Sequence, residues 1–121
     1  MKICVTAQGN NLDSQVDPRF GRCKYFIVVD TETMKFEAID NPNIGATSGA
    51  GIQAGQLMAS KQVKAVLSGN VGPNAFQSLQ QAGIDVISGV SGSIREAIEK
   101  YKKGEFKPTQ SLSTNSKSGM P

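Results

Sequence analysis

Apolar positions along the chain fall in short bursts, and their spacing changes character near residue 43. At the start, Ile3, Val5 and Ala7 alternate with Cys4 and Thr6. Both sets are fairly apolar, so residues 2–7 read as a central strand covered on its two faces. A polar stretch rich in Gly, Asn and Asp follows from residue 8 to about 23. Tyr25-Phe26-Ile27-Val28-Val29-Asp30 is then a β-branched and aromatic strand. Thr31-Glu32-Thr33 predicts a tight turn into a short strand near 35–40, and Asn41-Pro42-Asn43 ends it, since proline cannot donate to a ladder.

Beyond residue 43 helical and extended patterns alternate. Residues 49–61, rich in Ala, Gly, Gln, Leu and Met, predict a helix, and Lys64-Ala65-Val66-Leu67 a strand. Residues 73–82 predict a second helix, with Pro73 at its first position and Gly83 just past its end. Phe76 and Leu79 give it a buried face. Ile84-Asp85-Val86-Ile87 is the next strand. The last helix spans 94–103, opened by a capping box of Ser93 and Glu96 and stopped by Gly104. The order is β-β-β-α-β-α-β-α. It predicts an α/β fold with a five-stranded mixed sheet covered by helices on both faces. Residues 1–106 form the expected domain, and 107–121, dominated by Ser, Thr, Asn, Gly and Pro towards the end, a disordered polar tail.

Composition narrows the chemistry. No apolar run approaches the ~20 residues that cross a bilayer. The first residues enter a strand directly and not a secretory leader, so a cytoplasmic setting is expected. Histidine is absent, which excludes every triad or zinc motif that requires it. The two cysteines, Cys4 and Cys23, are too few for a disulfide framework. The net charge of +3 owes much to Lys100, Lys102, Lys103, Lys107 and Lys117, a solvated basic end more than a nucleic-acid surface.

One pattern repeats. Ser68-Gly69-Asn70-Val71-Gly72 and Ser88-Gly89-Val90-Ser91-Gly92 each follow a strand and open a helix. Thr47-Ser48-Gly49-Ala50-Gly51 opens the first helix in a related way. If the first strand points up, all three helix starts lie at the carboxyl edge of the sheet, where open α/β sheets bind ligands. The loop carrying Arg19 and Arg22 emerges there too. Helix starts present unpaired N–H groups and partial positive charge, glycines admit a ligand close to the backbone, and arginine adds fork-shaped donors. Any one glycine turn alone is adequately explained by a tight turn. Three turns with two arginines point to a compact anionic ligand held by Arg19, Arg22, Ser48, Gly49, Gly51, Gly69, Asn70, Gly72, Gly89 and Gly92.

Arg19-Phe20-Gly21-Arg22-Cys23 has two readings. Either the arginines grip an anion and the Cys23 thiolate ligates iron or another soft metal, or Arg19 pairs with Asp13 or Asp17, Phe20 plugs the core and Cys23 is a small buried residue. The two balance for the arginines, and burial is the favoured reading for Cys23. Cys4, inside a central strand, reads as core. Gly49-Ala50-Gly51-Ile52-Gln53-Ala54-Gly55 lacks the glycine spacing and preceding strand of a dinucleotide fingerprint.

Several strings together resemble one family. They are Asp17-Pro18-Arg19-Phe20-Gly21-Arg22-Cys23 with Tyr25-Phe26, Gly49-Ala50-Gly51-Ile52-Gln53-Ala54, Ser68-Gly69-Asn70-Val71-Gly72-Pro73-Asn74-Ala75, Ala82-Gly83-Ile84 and Glu96-Ala97-Ile98. Over residues 1–104 the chain resembles the dinitrogenase iron–molybdenum cofactor biosynthesis family, of the NifX-like and NifB C-terminal-domain-like kind. The resemblance implies a three-layer α/β/α, ribonuclease H-like fold. It also implies a non-catalytic protein that binds or carries an iron–sulfur or iron–molybdenum cluster or its precursor, with donor or acceptor proteins as partners and Cys23 as the expected ligand. The alternative is a regulatory or interaction module that takes another small oxyanion, a nucleotide or a protein partner, with no cluster. A two-metal nuclease would need a carboxylate on the first strand, which offers Cys4 and Thr6 instead.

Overall fold

The computed structural model describes residues 1–42 and 49–108. Five strands and three helices run in the order β1 (Lys2–Ala7), β2 (Tyr25–Asp30), β3 (Phe36–Asp40), α1 (Ala50–Ser60), β4 (Ala65–Leu67), α2 (Pro73–Gln81), β5 (Asp85–Ile87) and α3 (Ile94–Lys102). The sheet order is β3-β2-β1-β4-β5. β1 lies antiparallel to β2, and β2 to β3, while β1, β4 and β5 are parallel. The expected element order and mixed sheet are therefore what the chain forms, with boundaries within about two residues. Ser48 and residues 109–121 of the expected tail lie outside the described residues.

Strand alternation sorts the core into two halves. Ile3, Val5, Ala7, Ile27, Val29, Ala65, Leu67 and Ile87 pack on one face with Ile94, Ala97 and Ile98 of α3. Cys4, Phe26, Val28, Val66 and Val86 pack on the other with Ala54 and Met58 of α1 and Ala75 and Leu79 of α2. Two helices thus cover one face and a single helix the other, which makes three layers.

α1 and α2 approach closely because α1 carries glycines four residues apart on the facing side. A Cβ at Gly51 would lie 2.9 Å from the Ala75 Cβ, and one at Gly55 2.6 Å from the Ser78 Oγ. Both distances are below ordinary contact. This packing fixes the first turns of the two helices side by side.

Candidate functional site

All three helices begin at the carboxyl edge of the sheet, as the parallel β1, β4 and β5 require. Their starts differ in how the first N–H groups are satisfied. At α3 they are occupied. The Ile94 and Arg95 N–H groups donate to the Ser14 and Leu12 carbonyls at 2.9 and 2.8 Å. The Glu96 N–H donates to Ser93 Oγ at 3.1 Å, and Glu96 Oε1 accepts from the Ser93 N–H at 3.1 Å. That bond from the Ser93 backbone holds the Glu96 carboxyl below its ordinary range. The α3 start is closed by its own capping box.

α1 and α2 are built differently. Their N-cap residues are Gly49 and Gly72, neither with a capping side chain, and neither helix has an acid in its first turn. Together they frame a pocket of about 220 Å³ lined by Phe20, Arg22, Gly49, Ala50, Gly51, Gly72, Pro73, Asn74 and Ala75. Gly49 needs its left-handed φ of 76°. Gly72 needs nothing of the sort. Its φ of −69° suits any residue, and a Cβ there would meet nothing within 4 Å. Serine, threonine or aspartate at that N-cap would satisfy an N–H group of α2. The chain instead leaves that N-cap without a side chain where it borders the pocket.

Arg22 is carried to this pocket by a loop folded onto α1. Gly21, at φ 91°, sits so close that a Cβ on it would be 3.2 Å from the Gly51 Cα. The buried Asn41 clamps the loop, its Nδ2 donating to the Gly21 and Cys23 carbonyls, each at 2.9 Å. Those carbonyls bracket Arg22. Phe20 is buried against Phe26, with ring centroids 5.7 Å apart. Arg22, exposed between buried Gly21 and Cys23, lines the pocket.

The other expected residues are placed elsewhere. Arg19 lies outside this pocket: its backbone N–H donates to Asp17 Oδ1 at 3.0 Å, and its Nε stands 3.5 Å from the same oxygen. With Gln8, Asp17, Pro18 and Lys24 it lines a separate concavity of about 330 Å³. A Cβ on Gly69 would fall 2.6 Å from the Pro18 Cα, so that glycine serves contact between the 8–24 loop and the β4–α2 turn. The Asn70 carbonyl accepts the Phe20 N–H at 3.0 Å, which ties the same loop down. Gly89 donates to the Gly69 carbonyl at 2.9 Å and the Gly92 carbonyl accepts from Val16 at 2.8 Å. Both belong with α3 on the opposite face. Of the three helix starts expected to share one pocket, those of α1 and α2 line it together with Arg22, while Arg19 and the α3 start lie elsewhere.

Cys23 has no exposed surface, and burial first, then the nearby Asp17 charge, pushes its thiol up to about 12. Burial likewise raises Cys4 well above its ordinary value. In the chain without a bound metal, burial favours the neutral thiol. Among the described residues no group of three or more Cys, Asp or Glu is placed to hold a metal ion. Of the two readings given for Cys23, its burial is what the structure shows: it packs in the core half that holds Phe20 and Phe26. Native protein is expected to resist thiol alkylation until it unfolds. Because the folded thiol is raised, its contribution to stability is complete below pH 9 and is lost as pH climbs towards about 12. Cys23→Ala should flatten that alkaline fall in the unfolding midpoint.

Sequence reasoning missed Asn41, whose Asn-Pro context marks only a strand end, and Asn74, which sits behind Pro73 on the pocket wall. The model of the family described as dinitrogenase iron–molybdenum cofactor matches residues 1–104. The chain belongs to that family. An uncharacterised protein of Methanocaldococcus jannaschii is 33% identical over 109 residues, covering 88% of this chain and 89% of that protein. Among solved structures, the apo form of the orange protein from Desulfovibrio gigas is 43% identical with a TM-score of 0.87, covering 90% of this chain and 92% of that one. A candidate NifB protein from Thermotoga is 33% identical with a TM-score of 0.81, covering 93% and 96%. The chain shares its fold with these two solved structures. No described helix is long and apolar enough to cross a membrane.

Proposed function

We propose that this member of the family carries an anionic iron–sulfur or iron–molybdenum type cluster, or its precursor, in the pocket between the starts of α1 and α2. The observation that carries the reading is Gly72: an N-cap that tolerates any side chain keeps none, beside a second uncapped helix start and Arg22. Two helix starts favour an anion by about 0.3–1 kcal/mol each when exposed, and more where water is partly excluded. Arg22 adds charge-assisted hydrogen bonds to sulfide or oxide edges.

The cargo is held by charge and hydrogen bonds and not by coordination, because both thiols are buried in the core away from the pocket lining. A cluster kept this way arrives with its own ligands complete and leaves without bond breaking at the metal. That suits a carrier between donor and acceptor proteins better than an enzyme.

Anaerobic titration with a soluble iron–sulfur cluster is the direct test. A saturable change in the visible spectrum and iron retained through desalting are expected, with Arg22→Gln weakening retention at least about tenfold. An unchanged spectrum with metal-free protein after desalting would sink the reading. If inorganic phosphate or a nucleotide saturates the same amides in its place, the oxyanion module is the better account.

A further inference from the structure

A second, larger cleft opens at the opposite, amino end of the sheet. It measures about 860 Å³ and lies between the C-terminal ends of α1 and α2. Its apolar lining includes the buried Val63 and Ile84, the exposed Met1 and the small residues Ala59, Ala82 and Gly83. Small residues make flat walls.

Lys2 and Lys64 line the same cleft. They are neighbours across the parallel β1–β4 pair, where the Lys64 N–H donates to the Lys2 carbonyl at 2.8 Å. Each precedes by two residues a side chain of the α1–α2 core half, Cys4 and Val66, so strand alternation turns both ammonium groups to that face. Like charges set side by side on adjacent strands are unfavourable. Neither lysine is within ion-pair distance of an acid among the described residues. Asp30, the acid lining this cleft, is engaged by the Met1 amine at 3.7 Å and the Glu32 N–H at 2.9 Å.

The lysines are not needed to close the helix ends. The Leu57 and Met58 carbonyls of α1 accept from the Lys61 and Val63 N–H groups. Those of Leu79 and Gln80 in α2 accept from Ile84 and Gly83. Left-handed Gln62 (φ 61°) and Gly83 (φ 75°) make these turns possible. The two cations thus stand at the mouth of a mixed cleft, with Asp30 across β1–β2 from Lys2 and an apolar wall of Val63 and Ile84.

We infer that this amino-end cleft is a second ligand site, for a small molecule with an apolar body and one anionic head, a carboxylate or a phosphate ester. The head lies between Lys2 and Lys64, and the body lies on Val63 and Ile84 between Ala59 and Ala82. The site stands apart from the carboxyl-edge pocket, at the other end of α1 and α2.

Hexyl phosphate and hexanoate separate the two sources of such an anion, and inorganic phosphate serves as the headgroup without a body. Each is titrated at low-millimolar concentration into isotope-labelled full-length protein while amide shifts are followed. Saturable shifts centred on Gln62, Lys64, Gly83 and Ile84 are expected with one of the two, and weaker ones with phosphate. The double variant Lys2→Gln, Lys64→Gln should lose at least about tenfold in affinity. Its thermal midpoint should hold or rise, since a repulsion is removed. Shifts centred on Gly51, Gly72 and Arg22, affinity unchanged in the double variant, or no saturable shift with either molecule would overturn the assignment. Cluster retention at the carboxyl edge is unaffected by that outcome, so the two readings fail separately.

Discussion

Gly72→Asp is expected to raise the thermal midpoint and abolish cluster retention at once. The backbone at 72 is extended, with φ −69° and ψ 169°, the conformation of an N-cap, and Pro73 follows at the first helical position. An aspartate there would accept from the first-turn N–H groups of α2 and complement the helix dipole. Relief of glycine's unfolded-state entropy adds to this, for a total of about 1 kcal/mol. The same carboxylate would stand where the cargo's charge is to be held. Two like charges about 5 Å apart at an effective dielectric near 20 repel by ~3 kcal/mol, which is more than a hundredfold in affinity. Gly72→Ala separates bulk from charge, since it fills the space without competing for the amides. Differential scanning calorimetry and iron retention after desalting read the two effects. A stabilised Gly72→Asp protein that still retains cluster would show that the α2 start is not part of the receptor.

The contrast between the helix starts is legible in part in the sequence. The Ser93…Glu96 capping box marks α3 as a helix that closes its own start, while Gly49 and Gly72 offer no capping side chain. The element order and the edge at which the helices begin follow from strand direction alone. The face on which each helix lies does not follow from the edge. Only packing assigns Ile94, Ala97 and Ile98 to one half of the core and Ala54, Met58, Ala75 and Leu79 to the other. Likewise Arg19 and Arg22 are three residues apart in one loop, yet the buried Asp17 turns Arg19 to a different concavity. Asn41 acts across some twenty residues of sequence on Gly21 and Cys23, a long-range clamp that no local pattern encodes.

The two glycines of Ser68-Gly69-Asn70-Val71-Gly72 should answer substitution oppositely, although the repeated pattern suggests that both hold the same anionic ligand. Gly69→Ala is expected to be destabilising. Its Cβ would lie 2.6 Å from the Pro18 Cα and 3.1 Å from the Pro18 carbonyl oxygen, and main chain cannot swing aside as a side-chain tip can. The loop would have to lift, weakening the Phe20 N–H bond to the Asn70 carbonyl and loosening the seat of Phe20 on Phe26. Overpacking of this kind costs about 1–3 kcal/mol, and the backbone target puts it at the upper end. Because that loop carries Arg22, cargo retention should fall with it, and both losses should appear together in chemical denaturation and desalting assays. Gly72→Ala, with nothing within 4 Å of its Cβ, should leave stability level or improved. Equal destabilisation by both alanines would mean that the space beside Gly72 belongs to the fold and not to a ligand.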